Sequence, residues 1–552
     1  MSEHTEIPGV QICPSRSNNL DATEPDTSTT SHPTDNTMNT RYFRPETGFF
    51  LLAWTVCLWG LRENGFYDPG CLWHIVVGDL ILDSGFPRTD PFSYTFAGKP
   101  WIPQQWGAEV ILAIGHRLGG FDTLLLGLAT ILAGFWTWVF AKMRDGGMGI
   151  PLAGGMVAAA AITGAYHYFA RPHLATIVLL GWVMGCIVDY ERGRVSTWRL
   201  VGLIPLCVIW TNLHGGVLAG VFTLGLAVGG WSLVAMSRRL RETGISRPDR
   251  DVPASSLRQT GLLWGIVVAC LLTPFVNPFG MEMLRTWQRI VGSPVMARVV
   301  NEHMPLDPTH PAGQAVIGFG ALYLAALAGT FPMRPRVSWL IPLVWFALSI
   351  KGIRQGPLFA VTAAVALADI WPHTIWYRWL REHGDSLAVE PRPDGVQIGG
   401  GAMLLPGFLV MALFALQMLG LRGLAYLDDR MIPVDLVPAL RIELAKLAPD
   451  RRIYNDCNLG GFLIYHFPDR KVFMDDRFEL YGDDWTSDYA DAIWNRPGQV
   501  DIWADQYGCD LILVPYGKGA APVAEHLETR SQRWQEVARG RRAVLFKRKP
   551  GW

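Results

Sequence analysis

DPGCLWHIVVGD, Asp68 to Asp79, follows directly on the first long apolar run of the chain and is too polar to continue it through lipid. Its apolar residues nevertheless recur at helical spacing, and the longer stretch CLWHIVVGDLILDSG ends at Gly85, as a helix stop would. FPRTDPFSYTFAGKPW then reads as a loop punctuated by Pro and Gly, and QQWGAEVILAIGHRLGG as a second amphipathic helix. The segment 63–120 is therefore read as two helices lying on a membrane surface, over a cavity, rather than as further spans.

The rest of the chain supplies the membrane. Of 552 residues, 50% are hydrophobic and 17% charged, below the roughly 25% charge usual in soluble domains, and the apolar residues are bunched into long runs. A span takes about 20 apolar residues, fewer where helices pack in protein. Runs at 46–62, 121–141, 150–169, 173–190, 198–211, 216–236, 259–276, 313–331, 337–350, 356–371 and 401–421 make about eleven candidates. Residues 1–44 are rich in Ser, Thr, Asp, Asn and Pro, lack a secretory signal, and are expected to be a disordered tail.

Sidedness follows from the loops, because Lys and Arg gather at the cytoplasmic ends of spans. KMRDGG (142–147), ERGRVSTWR (191–199), SRRLRETGISRPDR (237–250), MRPR (333–336) and 372–400, with Arg378, Arg381 and Arg392, are basic and alternate along the chain. They are placed inside with the N-terminal tail. The segments 63–120, ARPH (170–173), TNLHGG (211–216), 277–312, KGIRQG (351–356) and everything after about 422 then fall outside. The expected organisation is a tail (1–44), a membrane domain (45–426) with outer loops 63–120 and 277–312, and an outer domain (427–552).

In that last part VDLVPALRIELAKLAP, CNLGGFLIYHF and VDIWADQYGCD read as helices; RRIYND, RKVFMDDRFELYG, LILVPYG and RRAVLFKR read as strands. Alternating helices and strands argue for a small α/β domain of about 125 residues, enough to bury a core of its own. Cys457 and Cys509 lie there and could pair in an oxidising compartment. Asp475, Asp476, Glu479, Asp483 and Asp484 form an acidic run without EF-hand spacing, expected to be a solvated face.

The polar residues that apolar spans do not need all fall on the outer side: Asp68, His74, Asp79, Glu109, Arg171, His173, Asn212, His214, Asn277, Glu302, His303, Lys351 and Arg354. Asp68 before Pro69 is either a helix cap or a general base or metal ligand, and the two are compatible. His74 could face a phosphate or a metal or lie at the interface; Glu109, among apolar neighbours, is partly buried or simply exposed. Arg171 and His173 are a lipid-phosphate clamp or interfacial anchors. Asn212 and His214 sit in a glycine hairpin, and Lys351 and Arg354 could neutralise a phosphate or anchor the helix end. The formal net charge is zero, with no basic tract interleaved with aromatics, so nothing points to nucleic acid. P-loop, GxSxG, HExxH and CxxC motifs are absent, which argues against nucleotide hydrolysis, serine hydrolysis and zinc proteolysis of the familiar kinds.

The stretch DPGCLWHIVVGDLILDSGFPRTDPFSYTFAGKPWIPQQWGAEVILA resembles the first outer loop of bacterial membrane proteins related to the GT-C glycosyltransferases, the dolichyl-phosphate-mannose and oligosaccharyl-transferase class. RPH, WTNLHGG, LLTPFVNPFG and IRQGPLFA are similar to later landmarks of that group, and YNDCNLGGFLIYHFPDRKVFMDDRFELYG to its C-terminal soluble domain. The resemblance covers about 45–550. It implies a polytopic α-helical membrane protein, GT-C-like, with a C-terminal soluble α/β domain. It also implies a polyprenyl-phosphate-linked sugar donor, a glycan, lipid or protein acceptor, and an active site on the outer face of the bacterial cytoplasmic membrane. On this reading Asp68 is the base, Glu109 and His74 share the catalytic site, and Asp68 and Glu109 could hold a divalent metal such as Mg or Mn. Arg171, His173, Asn212, His214, Lys351 and Arg354 would meet the lipid phosphate. One departure stands out: the acidic pair common in the class is here Asp68 alone, with Pro69 in place of the second carboxylate and Glu63 five residues before.

Two other classes remain. A non-catalytic scaffold would carry its function in the outer domain, by binding a glycan or a protein. A transporter would need inverted repeats or mid-membrane charges, and neither is evident.

Overall fold

The computed structural model describes residues 45–241, 256–296, 303–385 and 432–552, with short pieces at 253, 387–389, 423–427 and 429. The tail 1–44, the run 401–421 and Glu302 lie outside the described residues. Helix α1 is Pro45–Asn64, α2 Pro69–Ser84 and α3 Trp106–Asp145. Seven described helices are long and apolar enough to cross a membrane: Trp106–Asp145, Ile150–His167, His173–Glu191, Val217–Arg239, Leu257–Phe275, Pro311–Ala328 and Ile353–His373. Two shorter apolar helices, Thr197–Leu213 and Val337–Lys351, accompany them. Ten of the eleven apolar runs read from the sequence are thus helical, α1 included, and the chain is a multi-pass membrane protein.

The second surface helix expected within 63–120 is continuous with the span that follows it. α3 carries both, bent at Gly119 and at Gly120, where φ is +63° and ψ −152°. Only glycine adopts that conformation cheaply, so the bend belongs to the sequence. It leaves the first turns of α3 free to lie against α2, where a Cβ on Gly78 would come within 2.0 Å of the Glu109 carbonyl oxygen.

The basic stretches at 142–147, 191–199 and 333–336 lie together at one end of the bundle. Asp369, fully buried, accepts from Arg336 (2.8 Å), Arg192 (2.7 Å) and the Trp339 indole (2.7 Å), while Lys142 donates to Asp189 at 2.8 Å. Glu191 receives the backbone N–H groups of Val337 and Ser338 at the same end.

Beyond the membrane helices the chain builds a four-stranded sheet, β1 Arg452–Asn455, β2 Cys509–Pro515, β3 Trp534–Arg539 and β4 Ala543–Arg548, in the order β1-β2-β4-β3. β1 and β2 are parallel; β4 runs antiparallel to both β2 and β3. Helices Val437–Lys446, Cys457–His466 and Gln499–Gln506 occupy the expected stretches. One reading is corrected. RKVFMDDRFELYG is not a sheet strand: Val472 pairs only with Ser93 of the 63–120 segment, and a helix starts at Phe478. Cys457 and Cys509 are both buried free thiols, the latter 3.3 Å from the Tyr94 hydroxyl.

The C-terminal part does not bury its core alone. Leu72, Trp73, Val77 and Trp101 belong to the same apolar cluster as Phe462, Met474, Leu513 and Phe546. At about 1.5–3 kcal/mol for each large apolar side chain fully buried, these four residues join the two parts as strongly as an ordinary core layer.

Candidate active site

The sequence Asp68-Pro69-Gly70 starts α2, and each residue has a physical task. Asp68 is the N-cap, its Oδ1 accepting the Gly70 N–H at 2.7 Å, with proline next at the first helical position. The capping reading holds, and the Asp68 Oδ2 also accepts from Arg171 Nη1 at 2.8 Å. Gly70 leaves room: a Cβ there would lie 2.6 Å from Arg171 Nη2 and 2.9 Å from Asp476 Oδ2.

Asp476 is the residue the sequence reading missed. Its Oδ1 accepts the Trp73 indole N–H at 2.6 Å and its Oδ2 faces Arg171 Nη2 at 3.4 Å. Arg171 therefore lies between carboxylates that are 408 positions apart in the chain, and the three side chains keep 16–21% of their surface open. Burial, reinforced by Asp68 and Asp475, pushes the Asp476 carboxyl up to about 7 against the pull of Arg171 and the Trp73 hydrogen bond.

The acidic run is a solvated face only in part: Asp484 is exposed, whereas the start of the run turns inward. Asp475 has no exposed surface and, with Asp90, holds Arg477, which donates to Asp90 at 2.8 Å and to Asp475 at 2.6 and 2.8 Å. The guanidinium also lies over the rings of Trp101 (4.6 Å) and Phe92 (5.0 Å). This clasp fixes the segment bearing Asp476 against the 63–120 loop. The signal available in the sequence was an Asp-Asp-Arg directly after the apolar VFM.

His74 and Glu109 form a buried pair, Nδ1 to Oε1 at 3.0 Å, each residue 1% exposed. Burial first, then the nearby charges of Arg171, His214 and His173, push the His74 imidazole well below its usual range, so it is neutral at pH 7. Glu109 Oε2 is buried with no hydrogen-bond partner among the described residues. His173 Nε2 donates to the His167 carbonyl at 2.6 Å. His214 Nδ1 accepts from the Gly216 N–H (3.0 Å) and meets Thr176 Oγ1 (2.7 Å). Arg171, His173 and His214 are thus gathered around His74.

Asn212 accepts from the Trp106 indole (2.8 Å) and donates to the carbonyls of Val208 (2.8 Å) and Val276 (2.9 Å), which commits its amide to locking the hairpin. Arg354 Nη1 contacts His303 Nε2 at 2.6 Å, and Lys351 is exposed at a helix end.

The metal implied by the resemblance does not suit these groups. Asp68 is committed through both oxygens to Arg171 and Gly70, and Glu109 through Oε1 to His74. Among the described residues no three His, Cys, Asp or Glu side chains converge as a cation site. Mg²⁺ or Mn²⁺ requires a shell of oxygens, and here a guanidinium stands between the two nearest carboxylates.

Beside this cluster a cleft of about 320 Å³ opens between the helices Met281–Gly292 and Phe478–Asn495, lined by Gln288, Arg289, Ser293, Glu479 and Asp483. Glu479, three residues after Asp476, accepts the Trp101 indole N–H at 3.2 Å, and burial raises its carboxyl above the usual range.

No protein-family model and no curated protein matches the chain. Solved structures similar to it include the Archaeoglobus fulgidus oligosaccharyltransferase tethered with an acceptor peptide, at 12% identity and a TM-score of 0.48, over 90% of this chain and 73% of that one. The apo form of that enzyme is similar at 13% identity and a TM-score of 0.46, over 84% and 69%. ArnT from Cupriavidus metallidurans bound to undecaprenyl phosphate gives 14% identity and a TM-score of 0.39, over 92% and 98%. All three TM-scores are below 0.5, so the functional reading rests on this chain's own residues.

Proposed function

We propose that the protein is a membrane glycosyltransferase that moves a sugar from a polyprenyl-phosphate carrier to an acceptor on the outer face of the cytoplasmic membrane. The observation that carries this reading is Arg171 held between Asp68 and Asp476, largely shielded from water, where the 63–120 loop, the Arg-Pro-His turn and the C-terminal part meet. Glycosyl transfer from a lipid phosphate needs a cation for the leaving phosphate and a carboxylate for the acceptor's proton, close together in a site of low dielectric. Arg171 is the cation, with His173 and His214 beside it, and the cleft at Glu479 and Arg289 receives the acceptor. The buried His74–Glu109 pair carries no net attraction for phosphate and serves to shape and dry the site.

A scaffold with an independent outer binding domain is less favoured, because that domain shares its core with the loop bearing the cluster. The test is binding and turnover of a short-chain polyprenyl-phosphate sugar by detergent-purified protein. Arg171→Ala is expected to lose binding while wild type binds and transfers. Absence of both in wild type across several sugars overturns the reading.

A further inference from the structure

We infer that Asp476, carried by the C-terminal part of the chain, is the group that takes the acceptor's proton, and that Asp68 serves instead to hold Arg171. The inference deepens the glycosyl-transfer reading and rests on it.

Three observations lead there. First, both oxygens of Asp68 are committed to short contacts, the Gly70 N–H at 2.7 Å and Arg171 at 2.8 Å. Among the described residues the Asp476 Oδ2, by contrast, has only a 3.4 Å contact with the same guanidinium. A base needs an oxygen that can approach a hydroxyl to hydrogen-bond distance, and Asp476 Oδ2 offers it. Second, Asp476 arrives from elsewhere in the fold to stand beside Gly70 in the first turn of α2, where a Cβ would touch it. Third, Asp476 is poised to exchange a proton near neutrality. The groups facing it are Arg171 from the Arg-Pro-His turn, Asp68 and Cys71 from the start of α2, Trp73 one turn on, Asp475 beside it and Cys457 at the start of the helix Cys457–His466. Burial and the two aspartates outweigh the cation and the indole, and the carboxyl comes to about 7.

The step balances. A lone pair of the acceptor oxygen forms the bond to the anomeric carbon while the carbon–oxygen bond to phosphate breaks, its electrons leaving with the polyprenyl phosphate. The acceptor's proton passes to Asp476 Oδ2. Once protonated, Asp476 no longer competes for Arg171, so the guanidinium's attraction for phosphate strengthens as negative charge builds on the leaving group. That is an interaction stronger in the transition state than in the ground state.

The experiment measures kcat and KM for a short-chain polyprenyl-phosphate sugar from pH 5.5 to 9 with the full-length protein in detergent: wild type, Asp476→Asn, Asp476→Glu and Trp73→Phe. Wild-type kcat/KM is expected to rise through about pH 7. Asp476→Asn should lower kcat about 100-fold or more, with donor KM within about twofold, and should lose that rise. Asp476→Glu should restore a pH-dependent limb, which separates the loss of a base from misfolding. Trp73→Phe, removing a hydrogen bond that stabilises the carboxylate, should move the limb to higher pH. An active wild type whose Asp476→Asn variant keeps both rate and pH profile overturns this inference alone. A wild type that transfers no sugar overturns it together with the glycosyl-transfer reading.

Discussion

Gly70 shows how little of a residue's role lies in its own side chain. In the first turn of a helix, glycine costs up to about 1 kcal/mol relative to alanine, yet a Cβ here would press on Arg171 and Asp476. Gly70→Ala is therefore expected to hold or slightly raise the melting temperature while weakening donor binding about tenfold, roughly 1.4 kcal/mol, measured by titration beside a thermal scan. Asp476 predicts a second effect. Its carboxyl is raised on folding, so its stabilising contribution is complete below the ordinary carboxylate range and is lost as pH rises through about 7. Asp476→Asn should accordingly compare better with wild type at pH 8.5 than at pH 5.5 when melting temperatures are measured at both. Asp68 and Arg171 were legible in the sequence because each interrupts an apolar run. Asp476 was not: an acidic run read alone looks solvated, and only its distant partners reveal its burial.

Among the elements, the apolar runs announced the membrane helices because lipid and helix packing both demand length and apolarity. The surface helices were legible from periodicity, but the merging of the second with its span was not, since it depends on the conformation of Gly120. Gly120→Ala forces a side chain into that glycine-only region, at a cost of about 1–3 kcal/mol, and should broaden or lower the melting transition. β3 escaped notice because it is an edge strand of which only Trp534 is fully buried, leaving no alternation to read. The stretch at Lys471 looked like a strand because it is extended; its backbone partners, however, are Phe92 and Tyr94 rather than the sheet. Arg477 fastens the same junction. Arg477→Ala leaves Asp90 and Asp475 buried without their cation and should cost about 3–5 kcal/mol, read as a lower melting temperature and as faster proteolysis within 86–105.

At the scale of the whole molecule, membrane and C-terminal parts share a core and a site, so neither should survive separation. A fragment beginning near 427 lacks Leu72, Trp73, Val77 and Trp101 and is expected to aggregate, whereas the same fragment fused to residues 66–105 should elute as a monomer in gel filtration. The sequence suggested a self-sufficient domain because its alternation of helices and strands is that of one; composition carries no record of which core positions another segment fills. The shared core also sets a timetable for biosynthesis. The loop holding Leu72 to Trp101 leaves the ribosome long before its partners from Ile432 onward, a delay of roughly 20–70 seconds at about 5–20 residues per second. Throughout that interval its tryptophans are uncovered and Arg171 has only one of its two carboxylates. Membrane helices and sheet must both be in place before the shared core and the Arg171 cluster are complete.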